Sequence, residues 1–277
     1  MSSEVTQPCC VCGTPTTQRC GRCLAAGPSL FFCGTECQKL IWAVHKRACG
    51  LRSFEYPLLS SAEAEYAKQI LSEHVLKVEE RTERESLKGL LREFRLCKAG
   101  EEEAYIDLLS DSASSQSDEL DRRDLRYPLV IVRFFMTLNR TSDPSAPDQV
   151  EHPFDHIARV HFKLYGLLGP NLREDPSPAW LSPLQHALLP FVALYCGVHK
   201  KQPKPKTTDE AFARIGQWIK TVDPIEAVVQ EKVLPESGLV VATKVYEALA
   251  WAFGEKLFPA LKRKRQEEWL TNMGVRE

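Results

Sequence analysis

The pattern of apolar and polar positions predicts a mainly helical chain after about residue 50. Apolar residues recur at helical spacing in several stretches, and polar caps mark where some of these stretches begin. The clearest stripe runs from Ile157 to Leu168 and is ended by a Gly-Pro pair. A serine or threonine followed three residues later by glutamate, which is the capping-box pattern, occurs at Ser60 and Thr207. We therefore predict a domain of several packed helices.

Three segments of this pattern are harder to interpret. Residues 60–97 fit either one long helix or two consecutive helices. The run YPLVIVRFFMTL, residues 127–138, is apolar enough for a buried helix or a strand, and periodicity does not distinguish them. The run HALLPFVALYCGV, residues 186–198, predicts a buried helix with Pro190 near its start. It falls short of the roughly 20 residues that a membrane span needs, so we predict no span.

The first 50 residues add metal chemistry to a helical pattern. The stretch FFCGTECQKLIWAVHKRAC, residues 31–49, starts like an amphipathic helix but carries three cysteines and a histidine. Eight of the ten cysteines lie within residues 9–49. The N-terminus lacks the charged start and apolar run of a secretory signal, so we expect a reducing compartment. In such a compartment, clustered cysteines bind metal more often than they form disulfides.

The spacing of these residues divides them into four half-sites. The pairs are Cys9 with Cys12, Cys20 with Cys23, Cys33 with Cys37, and His45 with Cys49. Each pair can supply two corners of a tetrahedron, so the four pairs predict two zinc ions. Each ion would have four protein ligands and no open position, which is typical of structural zinc. Cys10 is left over, and we predict a bystander thiol.

The four half-sites can combine sequentially or in an interleaved way. A sequential arrangement joins the first pair to the second, whereas an interleaved one joins the first to the third. Interleaving ties a short chain together better, and a segment of this size needs metal for most of its folding free energy. We favour the interleaved sets, which are Cys9, Cys12, Cys33 and Cys37 for one zinc, and Cys20, Cys23, His45 and Cys49 for the other.

The order of these ligands, with FCGTECQ, a tryptophan and a His-Lys pair, resembles the MYND zinc finger. The resemblance covers residues 9–49 and includes the non-ligand residues Gln38 and Trp42. A RING finger also braces two zinc ions, but its histidine comes near the middle of the ligand order, and here it is seventh. Phe32 stands where the family usually has tyrosine. The resemblance implies a small zinc-stabilised fold with a short β-hairpin and a helix.

The resemblance also implies protein recognition. Several MYND fingers bind proline-containing peptides, typically Pro-x-Leu-x-Pro, by strand addition to the hairpin. Gln38 and Trp42 occupy the matching helix positions, where an indole offers a flat apolar wall and an amide can bind the peptide backbone. The alternative is that Trp42 only fills the core of a very small domain.

Composition along the chain suggests its domain organisation. We predict an N-terminal tail over residues 1–8, the finger over residues 9–49 and a mainly helical domain over residues 50–277. A serine-rich, acidic segment near residues 110–124 is predicted to be a flexible loop. The connection GLRSFEYPLL after the finger is too apolar for a free linker, so we expect the helical domain to contact the finger.

Two functional classes fit this sequence. We favour a non-enzymatic adaptor or regulatory protein whose finger binds a protein partner. The alternative is an enzyme of unrecognised type, such as a divergent methyltransferase with the finger as an accessory module. The Asn-His dipeptide of SET-domain methyltransferases is absent, because the chain's three asparagines are followed by Arg, Leu and Met. No phosphate-binding loop or nucleophile elbow occurs either.

One cluster outside the finger also contains metal-ligand types. Its members are Glu151, His152, Asp155, His156 and His161. Pro153 places the histidine pair at a predicted helix start, where acids and histidines often act as caps or surface residues. We favour that interpretation over a second, catalytic metal site.

The net charge and one basic segment bear on the class of partner and on the cellular location. The formal net charge is −1, and seven thiolates with two zinc ions would leave the finger close to neutral, which argues against direct nucleic-acid binding. We predict protein partners and no small-molecule substrate. Four consecutive cations resemble a short nuclear-localisation signal, although they also fit the solvated face of a helix: Lys262, Arg263, Lys264 and Arg265. We therefore expect an intracellular protein of the nucleus, the cytoplasm or both.

Overall fold

The structure is a computed structural model of the 277-residue chain. It describes residues 6–75, 85–110, 125–142, 153–168, 178–201, 222 and 224–253. Three predicted features lie outside these ranges: the acidic loop beyond residue 110, the Thr207 capping box and the basic run at residues 262–265. No helix within the described ranges is long and apolar enough to cross a membrane.

The N-terminal region forms a hairpin followed by two helices. Strands β1 (Gln7–Pro8) and β2 (Pro15–Thr16) pair antiparallel, and helices α1 (Gly21–Ala26) and α2 (Thr35–Ala48) follow. The hairpin turn needs a glycine, because Gly13 has a φ of 73°, which side-chain-bearing residues rarely adopt. The short hairpin and helix predicted for this region are confirmed.

The chain beyond the finger is mainly helical, as predicted. Its elements within the described ranges are α3 (Ser61–Gln69), β3 (His74–Val75), β4 (Glu85–Ser86), α4 (Leu87–Glu93), α5 (Glu102–Leu108), α6 (Arg126–Ser142), α7 (Pro153–Leu168), α8 (Leu181–Lys201), a π-helical turn (Val229–Val233) and α9 (Leu234–Phe253). The small β3–β4 sheet is antiparallel.

The structure decides the segments that periodicity left open. The described parts of residues 60–97 contain two helices, α3 and α4, with the short strands β3 and β4 between them, and the capping box is present at α3. The Glu63 amide donates to Ser60 Oγ at 3.3 Å, and the Ser60 amide donates to Glu63 Oε2 at 2.8 Å. The run 127–138 belongs to helix α6. Nearly every residue of this run is buried, so apolar side chains occur on all sides of this part of the helix. Helix α8 begins at Leu181, so Pro190 lies inside the helix rather than near its start.

The chain divides into two compact units. One comprises Met1–Phe54 with Lys163–Glu277, and the other comprises Glu55–Phe162. This division reflects which residues contact each other in space, whereas the domain boundaries predicted above reflect composition along the chain. Those boundaries remain a prediction.

In the first unit the finger packs against helix α8. Helix α2 contacts α8, and Ala193 and Leu194 of α8 pack against the apolar core of the finger. Phe54 is fully buried, and its backbone amide donates to Ser182 Oγ at 2.8 Å. The segment after the finger is therefore ordered against α8 instead of being a free linker, which is the contact that its apolar composition led us to expect.

The second unit contains a buried ion-pair network on helix α6. The Arg133 guanidinium is completely buried and donates to Glu63 Oε1 at 3.0 Å, to Asp155 Oδ1 at 2.9 Å and to the Pro57 carbonyl at 2.8 Å. Arg140 donates to the other oxygen of Asp155 at 2.8 Å. Two cations thus face two carboxylates, and the network joins α3, α6 and α7.

Candidate metal centre

The structure gathers the eight predicted ligands into two groups. One group is Cys9, Cys12, Cys33 and Cys37, and the other is Cys20, Cys23, His45 and Cys49. Within each group the ligand atoms all lie within 4.8 Å of one another. The half-sites therefore combine in the interleaved order and not in the sequential one.

Helix α2 connects the two groups. Cys37 lies in its first turn and His45 in its last turn, while Cys33 precedes the helix and Cys49 ends it. The spacing of four residues places His45 and Cys49 on one side of the last turn. Cys33 reaches Cys37 from the extended segment before the helix, with the two sulfurs 3.5 Å apart. One short helix is consequently attached to both groups, one at each end.

Backbone pairing brings the two halves of the finger together. Arg19 and Phe31 form an isolated antiparallel bridge. The Cys20 amide donates to the Leu30 carbonyl at 3.0 Å, and the Phe32 amide donates to the Gln18 carbonyl at 3.0 Å. These bonds place the ligands before residue 24 beside those after residue 32, which is what an interleaved arrangement requires.

The sulfur distances in the first group fit a tetrahedron around zinc. Cys12 Sγ lies 3.5 Å from Cys33 Sγ and 3.8 Å from Cys37 Sγ, and the last two are 3.5 Å apart. A Zn–S bond of about 2.3 Å gives a tetrahedral edge of about 3.8 Å. A disulfide would instead require about 2.05 Å between sulfurs. The group is spaced for a shared metal ion and not for disulfide bonds.

The second group has the same spacing with one nitrogen ligand. Cys49 Sγ lies 3.6 Å from Cys20 Sγ and 3.9 Å from Cys23 Sγ, and His45 Nε2 lies 3.7 Å from Cys23 Sγ. All four residues are buried. Burial lowers the pKa of His45, which favours the neutral imidazole that binds zinc. Each group can therefore hold a zinc ion with four protein ligands, as a structural site does.

Cys10 takes no part in either group. Its side chain is buried in the core of the finger, and its backbone amide donates to the Phe31 carbonyl at 2.8 Å. Burial raises the pKa of the Cys10 thiol to about 12, so it stays protonated at neutral pH. The Cys10 sulfur belongs to neither group of converging ligand atoms, so Cys10 acts as a small apolar residue of the core.

The weaker candidate site around residues 151–161 is not assembled by the described residues. Glu151 and His152 lie outside the described ranges. Both oxygens of Asp155 accept from arginines, and His161 Nδ1 lies 3.1 Å from the Tyr56 hydroxyl. Within the described part of the chain, the two groups of the finger are the clusters able to hold a metal.

Replacing one ligand should remove one zinc ion, whereas replacing the neighbouring bystander should remove none. We expect the Cys9→Ser variant to retain about one zinc per chain, because its group is left with only three of four thiolates and loses its ion while the second group is intact, and Cys10→Ser to retain two. Elemental analysis of the purified full chain measures both. Zinc loss in Cys10→Ser with full retention in Cys9→Ser would reverse the assignment of the two cysteines.

The two residues predicted to bind a peptide lie on one side of helix α2. Gln38 is half-buried, and the side chain of Trp42 is 42% exposed, whereas neighbouring Ile41 is 1% exposed. The Trp42 and His45 ring centroids are 5.7 Å apart. The core of the finger is filled by other apolar residues, among them Leu30 and Phe32, so much of the Trp42 ring remains accessible.

Sequence reasoning missed the residues that hold the finger against helix α8. Among them is His186, which is buried and has its ring 5.4 Å from that of Phe54. Burial, and after it the neighbouring His45, lower the pKa of His186 to about 4. A single histidine in an apolar helix carries no signal of what it contacts, so no sequence pattern could have revealed this role.

Comparison with known proteins agrees with the geometry. The family model described as MYND finger matches residues 9–49. No curated protein and no solved structure matches the chain significantly. Residues 9–49 therefore form a MYND zinc finger, a zinc-binding protein-interaction module, within a mainly helical chain.

Proposed function

We propose that this protein is a non-enzymatic adaptor or regulatory protein whose finger binds a proline-containing peptide of a partner. The observation that carries the proposal is the exposed indole of Trp42 on a helix attached to both metal sites. An exposed tryptophan on a rigid element is a typical anchor of protein interfaces.

The geometry of helix α2 suits this role. Ligands at both ends of the helix fix its position, so Gln38 and Trp42, which lie one turn apart, are presented without a large entropic cost on binding. Contact with the His45 ring supports the indole from one side. A proline ring can pack on the accessible part, and an extended peptide can add main-chain hydrogen bonds along the hairpin.

The helical region supports an adaptor in a different way. The finger is packed on α8 through Ala193 and Leu194, so the helices fix the orientation of the peptide-binding surface in that unit. Each metal group also has four protein ligands, which favours a structural role for zinc over catalysis. We propose that the protein acts inside the cell, in the nucleus, the cytoplasm or both. Binding of a methyl-donor cofactor by the full chain would favour the alternative, an enzyme.

Truncating Trp42 should weaken peptide binding by about 30-fold or more, since hot-spot residues contribute about 2 kcal/mol or more. The measurement is fluorescence anisotropy with a labelled peptide containing Pro-x-Leu-x-Pro, comparing the intact chain with Trp42→Ala. Leu40→Ala is the matched control, because Leu40 is 71% exposed on the same helix but two residues from Trp42 and so points elsewhere. It should bind the peptide like the intact chain.

Both variants must retain two zinc ions for the comparison to count. Equal losses in Trp42→Ala and Leu40→Ala, or no loss in either, would reject the Trp42 surface. If the intact chain does not bind this peptide, the test is affinity capture of partner proteins from cells, comparing the intact chain with Trp42→Ala. Identical sets of partners would then reject the proposal.

A further inference from the structure

The two ligand groups of the finger differ in how far solvent reaches them. In the second group every ligand is buried, and none is more than 8% exposed. In the first group Cys9 is buried, Cys12 and Cys37 are half-buried, and Cys33 is exposed. A small reagent in solution can therefore reach a cysteine of the first group while the finger stays folded, whereas the second group is closed to it.

Neighbouring side chains cover the second group further. The ring centroids of Phe32 and Trp42 each lie 5.7 Å from that of His45. The Arg22 side chain packs over Gly50, the residue after the last ligand, so closely that a Cβ there would lie 3.5 Å from Arg22 Nε. Aromatic rings and a cation thus lie against the second group.

The ligand types add a difference in charge. Cysteine binds zinc as the thiolate and histidine as the neutral imidazole, so the four-cysteine group carries one more negative charge than the second group. The thiolate is the form of cysteine that oxidants attack, and its susceptibility rises with exposure. Charge and exposure therefore both make the first group the more reactive one.

Cys33 also has two potential disulfide partners within its group. Its Sγ lies 3.5 Å from Cys12 Sγ and 3.5 Å from Cys37 Sγ. A disulfide requires about 2.05 Å between sulfurs, so either bond needs a movement of about 1.5 Å. Cys33 lies before the first residue of helix α2, in an extended segment, so a movement of this size does not require the helix to unwind.

We propose that Cys33 is an oxidation site, at which a peroxide starts the conversion of the first group into a disulfide. The Cys33 thiolate attacks one oxygen of hydrogen peroxide and the O–O bond breaks, which gives a sulfenic acid and hydroxide. The thiolate of Cys37 or Cys12 then attacks the Cys33 sulfur and displaces a second hydroxide. Two sulfurs have together lost two electrons, and the peroxide has gained them.

The disulfide leaves the first group with two thiolates, which is too few to retain zinc, while the second group keeps all four ligands. Cys37 lies in the first turn of helix α2, so that end of the helix loses its attachment and the end that carries His45 keeps it. Oxidation consequently opens one half of the finger. This inference does not depend on which peptide, if any, the finger binds.

Graded treatment of the zinc-loaded full chain with hydrogen peroxide tests the proposal. A colorimetric zinc indicator follows the released metal, and we expect the first ion to leave at least about 10-fold faster than the second, given the difference in thiolate exposure. Mass spectrometry at the point of one released ion should find Cys33 joined to Cys37 or Cys12. The three cysteines of the second group should still be reduced, and a reducing agent with added zinc should restore two ions per chain.

A matched control removes a cysteine outside the finger. Cys97 is half-buried and belongs to neither group, so Cys97→Ser should release its first ion at the same rate as the intact chain. Loss of the fast release in this variant would show that oxidation starts outside the finger, which overturns the proposal. Release of both ions at one rate, or a first disulfide within the second group, would overturn it as well.

Discussion

Removal of zinc by a chelator is expected to unfold the finger and to expose the face of helix α8 that the finger covers. The core of the finger consists largely of the ligands themselves and a few apolar residues such as Leu30 and Ile41. Structural zinc contributes about 10–16 kcal/mol to the folding of zinc-finger peptides, more than such a small core can replace. We therefore expect the metal-free protein to melt at a lower temperature and to bind a hydrophobic dye.

Circular dichroism melts and dye fluorescence, with and without chelator, measure these two effects. The control is the same chelator saturated beforehand with zinc, which should leave both signals unchanged. Addition of zinc to the stripped protein should restore the melting temperature and reduce dye binding. An unchanged melting temperature and no dye binding after complete zinc removal would contradict a structural role for the metal.

Replacing Arg133 by methionine should destabilise the second unit by about 3–5 kcal/mol, because it leaves buried carboxylates without their partner. Arg133 is completely buried and is the donor that joins Glu63, Asp155 and the Pro57 carbonyl. Asp155 keeps its ion pair with Arg140 in this variant, whereas Glu63 loses the ion pair that it makes with Arg133. The change in the free energy of unfolding is measured by urea titration of the full chain, with a spectroscopic probe placed in this unit.

Two variants test the cause of this effect. Lys68→Met removes a cation whose partners Glu65 and Asp107 are well exposed, so it should change the unfolding midpoint far less than Arg133→Met does. Adding Glu63→Gln to Arg133→Met should recover part of the lost stability, because it removes the unpaired charge. Equal midpoints for Arg133→Met and Lys68→Met would show that the buried network does not stabilise this unit.

The fold of the finger could be predicted because its determinants are local. Ligand pairs separated by two or three residues must face one ion, so their spacing fixes both the metal and much of the backbone. The interleaved pairing of the half-sites was the favoured prediction, because two interleaved ions restrict the conformations of a short chain more than two successive ions do. Cys10 was also separable from Cys9, because only one of two adjacent cysteines can have the right spacing to Cys12.

The helical region was less predictable, and residues 127–138 illustrate the reason. An apolar run carries no periodicity once all of its sides are buried, so sequence did not distinguish helix from strand. Arg133 is a charged residue within that run, and the sequence does not identify its partners. Its partner Glu63 lies 70 residues earlier and its partner Asp155 lies 22 residues later, so only folding brings them together.

The amino-acid sequence by itself determined the metal chemistry: which side chains can bind zinc, that they form four half-sites for two ions, and which helix carries Gln38 and Trp42. These properties depend on donor atoms and on distances of a few residues, which the covalent chain sets. The tertiary structure decided which half-sites share an ion, that the finger packs on α8, and that Trp42 stays accessible while Ile41 is buried. Such outcomes depend on which surfaces meet when distant segments pack, and no local pattern encodes them.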